Sequence, residues 1–247
     1  MASGIIQVTL LLMAMGLALL PFFQFFRGTP HQLAAIAELE QSLPKDVLEE
    51  DAAWFEAWRA SGIAQEVYMP QYFKQLDLPN GTRMCFTSAA AMVAAFHKKI
   101  SSQEEYNAIR TRFGGTTSVE AQVKALESLG LKVRFTQTAD ASDVEAAIDA
   151  GQVVMVGYLH SGNLLRGEPP MCSSETCGHW AVIHGYSGRH SNDSSWLISD
   201  PAGLPLMDVG GHNQALSGHR VHIRQAEFHQ RWQFEGPHSG WAIFVEP

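Results

Sequence analysis

Cysteine is scarce. Three in 247 residues are too few for a disulfide-stapled scaffold, so the chain must rely on a packed core, for which its length suffices as one globular domain with an appendage. Cys172 and Cys177 are close enough in sequence to pair, which leaves Cys85 free. Basic charge is scarce too: 17 Lys and Arg against 25 Asp and Glu give a formal net charge of −8, and no basic patch stands out. That excludes a nucleic-acid-binding surface. Internal repeats and low-complexity tracts are absent. Much of the acidity is local, with eight acidic and two basic residues between Thr29 and Glu66.

The N-terminus lacks charge altogether from Ile5 to Phe26. As a helix these 22 residues span about 33 Å, enough for a hydrocarbon core. No Lys or Arg precedes the run and no small-x-small cleavage site follows it, which favours a retained single-pass membrane anchor over a signal peptide. Orientation stays open, because Arg27 votes for a cytoplasmic C-terminal side and a Cys172–Cys177 disulfide for the opposite one.

Three segments are expected: a hydrophobic membrane-anchor helix at 1–28, an acidic helical stalk or linker at 29–66, and a catalytic domain at 67–247. The stalk carries helical apolar spacing broken at Pro44, and its Trp54, Phe55 and Trp58 either pack on the domain or meet a protein partner. In the domain, the pattern predicts helices over Met84 to His97, Gln103 to Arg112, Ser118 to Leu129 and Ser142 to Ala150. The last would be capped by Ser142 with Glu145. Strands are predicted over Lys132 to Thr136, Val153 to Leu159, His179 to Tyr186, Trp196 to Ser199, Val221 to Ile223 and Trp241 to Val245. Helices first and an antiparallel sheet second make an α+β fold. The loop Ser161 to Cys177, just before His179, is a candidate wall or lid.

Cys85 opens the alanine-rich helix behind the Pro79-Asn80-Gly81 turn. A thiol there meets unpaired backbone N–H groups and the positive end of the helix dipole, which favour thiolate. His179 begins an apolar strand, and Asp200 closes the next one, where antiparallel pairing brings it beside His179. Gln75, ten residues before Cys85, can offer its amide to an oxyanion if the intervening turn folds back. A metal reading of Cys172, Cys177, His179 and His184 is weak, because the cysteine spacing is loose and the two histidines face opposite sides of a regular strand. His184 reads as a core or supporting histidine, and His212, His219, His222, His229 and His238 as surface positions.

Together these segments resemble the papain-like cysteine peptidases of the bacteriocin-processing, double-glycine-leader type and their stand-alone relatives. The resemblance rests on Met69-Pro70-Gln71-Tyr72 to Gln75, Cys85-Phe86-Thr87-Ser88 with Ala91-Met92-Val93, Ala150-Gly151-Gln152-Val153-Val154, Gly178-His179-Trp180 through Tyr186, and Asp200-Pro201. It implies a papain-like fold whose helical half carries the cysteine and whose sheet half carries the histidine and aspartate. By the same resemblance Cys85 is the nucleophile, His179 the general base and acid, Asp200 the orienting residue and Gln75 the oxyanion donor. No cofactor and no metal are implied, and the substrate is a peptide or protein. Phe86 stands where many members have glycine. Nothing resembles the transporter and ATPase modules that often accompany the leader peptidases. The alternative is a catalytically silent or particle-borne structural protein that retains this fold, or a particle-borne enzyme acting on cell-wall peptides.

Overall fold

The computed structural model describes residues 64–171, 178–188 and 194–247, which fall within the compact unit Gly62–Pro247. The expected anchor Ile5 to Phe26, nearly all of the stalk, Cys172 and Cys177 lie outside the described residues. Among the described residues no helix is long and apolar enough to cross a membrane.

The described elements begin with β1 (Gln65–Glu66), followed by α1 (Cys85–Phe96), α2 (Gln103–Arg110) and α3 (Val119–Ser128). Next come β2 (Lys132–Ala139), α4 (Ala141–Asp149), β3 (Val154–Leu159), β4 (Gly178–Ser187), β5 (Ser195–Ser199), β6 (Leu204–Pro205) and β7 (His212–Asn213). The chain ends with β8 (Val221–Arg224), α5 (Gln225–Trp232) and β9 (Gly240–Glu246). The main sheet is antiparallel in the order β2-β9-β3-β4-β5-β8. β1 continues the edge of β4 beyond the end of β3, with Gln65 opposite Tyr186. This strand falls in the segment expected as the end of the stalk, and Glu66 is tied there by Arg220 at 2.6 Å.

Alternation along the central strands sorts the core into two layers. Trp180, Val182, Met155 and Ile243 face α1, α2 and α3, whereas Ala181, Ile183, Val154 and Val156 face α4 and α5. With both faces covered, β3 and β4 are buried almost throughout, so they read as continuous apolar runs. α1 is buried along nearly its whole length, and its alanines let the sheet and α2 approach closely.

The caps follow the sequence with one exception. Ser102 and Ser118 cap α2 and α3, and Gly130 follows α3 with a φ of 78°. α4 is not capped by Ser142 and Glu145. Its N-cap is Asp140, in a capping box with Asp143, because the carboxylate one turn earlier already takes the amide of Asp143. Ser142 donates to Asp140 instead.

Helix α5 carries Arg231, which is completely buried. Its guanidinium donates to the carbonyls of Met207, Leu159, Ser161 and Gly162 at 2.7, 3.3, 2.7 and 2.9 Å. One side chain thereby ties the turn after β3 to the turn between β6 and β7. Gly211 adds a backbone bond to His160 at 2.7 Å.

Candidate active site

The site lies where the start of α1 meets the beginning of β4. A 3-10 turn over Gly81–Arg83 leads into α1, and the N-cap Met84 supplies no side-chain cap. The first amides of the helix are therefore left for other acceptors. The backbone N–H of Trp180, the residue after His179, acts on the Cys85 sulfur to favour its charged form, as do those of Phe86 and Cys85 itself. Phe86 stacks on Trp180 with ring centroids 3.9 Å apart and planes 7° from parallel. The phenyl group thus clips the helix start to β4, which gives a structural purpose to the residue that stands in place of glycine.

Pairing of β4 with β5 sets Val182 opposite Ser199. The chain leaving β5 therefore comes level with the start of β4, and His179 Nε2 meets Asp200 Oδ1 at 2.8 Å. His179 is 3% exposed and Asp200 0%. The carboxylate is saturated: Oδ1 also accepts the amide of Ala202 at 2.8 Å, while Oδ2 accepts the hydroxyl of Tyr158 at 2.6 Å and faces His212 Nε2 at 3.3 Å. Tyr72 fixes the backbone of this turn, donating to the Asp200 carbonyl at 2.8 Å and accepting the amide of Gly218 at 3.1 Å. Glycine is required at 218, since a Cβ there would sit 2.1 Å from the Asp200 carbonyl oxygen.

Burial works against the charge on Asp200, but the imidazoles of His179 and His212 outweigh it and hold the carboxyl well below its usual range. Burial pushes His179 down to about 4 despite Asp200. Burial thus disfavours the charged imidazole. With Nε2–H directed to the carboxylate, Nδ1 is the nitrogen left with a lone pair. Burial also pushes the Cys85 thiol up to about 11, against the pull of the surrounding N–H groups and with the Asp200 charge adding to the rise. Desolvation and the Asp200 charge thus oppose the thiolate that the helix terminus favours at the half-buried Cys85.

Gln75 lies 5% exposed in a short 3-10 turn whose amide bonds to the carbonyl of Pro201 at 3.0 Å. This bond sets the turn beside the Asp200–Pro201 loop, and Gln75 Oε1 has no hydrogen-bond partner among the described residues. His184 is turned to other partners, Ser199 Oγ at 3.1 Å and the Val67 carbonyl at 3.3 Å, so it does not join His179. This fits its reading as a supporting histidine.

Four histidines expected at the surface are not free surface groups. The His212 side chain is 5% exposed, His219 lies 3.1 Å from Ser199 Oγ, and His229 accepts from the Trp196 indole at 3.3 Å. Burial holds His222 down at about 4. Only His238 among the five is exposed, beside Asp140 at 2.8 Å. Tyr158, His160 and His212 are the site residues missed in the sequence. Their strand ends converge only through the sheet order and the Arg231 tie, and no local pattern marks them.

The sequence profile described as the Peptidase_C39-like family matches residues 69–233, more than half of the chain. No curated protein sequence matches. Among solved structures, the peptidase domain of Streptococcus ComA, a bi-functional ABC transporter involved in quorum sensing, aligns at 20% identity and a TM-score of 0.42. That alignment covers 67% of this chain and 93% of the other. A C39-like peptidase from Bacillus anthracis aligns at 14% identity and a TM-score of 0.49, covering 74% and 98%. A double-glycine-motif protease from the AMS/PCAT transporter, solved with the leader peptide, aligns at 17% identity and a TM-score of 0.41, covering 74% and 94%. On the family match, the chain belongs to the Peptidase_C39-like family and is a cysteine-type peptidase.

Proposed function

We propose that the protein hydrolyses peptide bonds through an acyl-enzyme on Cys85. His179 Nδ1 takes the thiol proton as the sulfur attacks the scissile carbonyl carbon. Burial raises the thiol and lowers the imidazole, which favours a transfer that accompanies attack. Asp200 holds the imidazole by its Nε2–H and stabilises the imidazolium once formed. The backbone N–H of Cys85 and the side-chain amide of Gln75 receive the oxyanion. The protonated His179 then gives its proton to the leaving amine, the C–N bond breaks, and a thioester remains on Cys85. Water, deprotonated by His179, releases the acid and regenerates the thiol.

The observation that carries this reading is the 2.8 Å bond from His179 to a buried Asp200 whose two oxygens are both engaged, with the very next amide along the strand acting on the Cys85 thiol. The test is turnover of a quenched fluorogenic peptide library by the full chain. Wild type cleaves, and Cys85→Ala and His179→Ala do not. Cleavage by correctly folded Cys85→Ala would remove the sulfur from the mechanism.

The charge-free run Ile5 to Phe26 supports attachment of this domain to a membrane through segment 1–28, with 29–66 as the acidic spacer. Alkaline carbonate extraction should leave the full chain in the membrane pellet and release a chain lacking residues 1–28. Release of both would leave the run without an anchoring role.

A further inference from the structure

His160, His179 and His212 stand at the ends or beginnings of three different strands, and one ring nitrogen of each lies within 4.8 Å of those of the other two. His160 Nδ1 and His212 Nδ1 are 3.4 Å apart. A tetrahedral zinc with Zn–N of about 2.0–2.1 Å separates its nitrogen ligands by about 3.4 Å. This pair is therefore already at the spacing of two ligands on one ion.

The carboxylate behind them supplies the second observation. Asp200 Oδ1 holds His179 Nε2 at 2.8 Å and Oδ2 faces His212 Nε2 at 3.3 Å. One buried carboxylate thus meets two imidazoles at their Nε2 atoms, with the Tyr158 hydroxyl also 3.1 Å from His212 Nε2, and His212 Nδ1 is left facing His160 Nδ1. Histidines that ligate metals are held in this way, with the non-ligating N–H on a carboxylate that fixes the tautomer and strengthens the donor. The rings are mutually close, with centroids 4.3 Å apart for His179 and His212, 5.2 Å for His160 and His212, and 5.4 Å for His160 and His179. Arg231 locks the carbonyls of Leu159 and Ser161 on either side of His160.

We propose that His160, His179 and His212 form a three-imidazole site for a divalent transition metal of the zinc class, and that a metal bound there reversibly inhibits the peptidase. The inhibition half rests on the role proposed for His179: its Nδ1 lone pair cannot both ligate a cation and accept the Cys85 proton. The binding half does not depend on that role. Imidazole donors suit zinc, cobalt, nickel and copper and disfavour magnesium and calcium.

The experiment uses the full chain, stripped of metal with a chelator and then titrated with cobalt(II) or zinc(II) chloride. Cobalt should give the strong visible bands of a tetrahedral site at one ion per chain, and calorimetry with zinc should give the same stoichiometry. His160→Ala and His212→Ala should each weaken binding at least about tenfold, with His160→Asn and His212→Asn as second variants should the alanine forms not fold. Cys85→Ala should retain the cobalt bands. Zinc should inhibit wild-type peptide cleavage at the concentration that fills the site, and chelator should restore it. Cobalt bands that survive in the His160→Ala/His212→Ala double variant, or that vanish in Cys85→Ala, would overturn the histidine site, as would a protein that cleaves peptide but binds neither ion. Metal binding by a chain that cleaves nothing would leave the site standing and count against the catalytic reading.

Discussion

Asp200 bonds to His179 Nε2 at 2.8 Å while its other oxygen accepts the Tyr158 hydroxyl at 2.6 Å, so the aspartate that orients the proposed base is itself held from both sides. Asp200→Asn keeps the size of the side chain but removes the charge that stabilises the imidazolium. The expected result is a fall in kcat of about two to four orders of magnitude with a smaller change in KM. Steady-state kinetics on protein with wild-type circular dichroism decides it, and a loss under tenfold would demote Asp200 to a structural residue.

Gln75 is buried with an amide oxygen that has no partner among the described residues, so its amide contributes little to folding. Gln75→Ala should lower kcat about a hundredfold, the cost of one oxyanion donor. Its melting temperature should stay close to wild type. A variant that melts early and retains its kcat would place Gln75 among the packing residues only.

Resting chemistry at Cys85 follows from burial pushing the thiol up to about 11. In metal-free protein, iodoacetamide labelling at Cys85, resolved from Cys172 and Cys177 by peptide mass spectrometry, should rise with pH well past neutrality. The thiolate is the minor form until the pH approaches the raised value. A labelling plateau already reached below pH 7 would mean a preformed thiolate–imidazolium pair.

Acid should unfold the domain through histidines outside the site. Burial lowers His184 to about 3 and His222 and His229 to about 4, each from an ordinary value near 6.5. Between those limits the unfolded chain binds protons that the folded one refuses. Stability is therefore fully present above about pH 6.5 and is lost as the pH falls toward 4, on the order of 3 kcal/mol for His184 alone. Thermal melts from pH 7 to 4 check this, and His184→Asn should flatten the slope. A melting temperature constant to pH 4 would contradict these assignments.

Much of this architecture was legible because it is local. The alanine run after Cys85 is helical over Cys85–Phe96, and the apolar run after His179 is strand over Gly178–Ser187. The eight-residue helix Gln225–Trp232 carries little signal in the sequence, its apolar positions being little more than Phe228 and Trp232. The histidine cluster was missed for a different reason. His160 and His212 meet only because Arg231 and the sheet order fold two distant turns together, and neither is marked by its neighbours in sequence. At Cys85 a helix N-terminus is visible in the sequence, whereas the burial and the Asp200 charge that raise the thiol are not.

The most direct measurement is the intact mass of the full chain, acid-quenched during cleavage of a peptide substrate and then mapped by digestion. A mass increase equal to the acyl portion of the substrate, located on Cys85 and absent in Cys85→Ala, is the predicted result. Turnover with no adduct at Cys85, or with the adduct on another residue, would contradict the account.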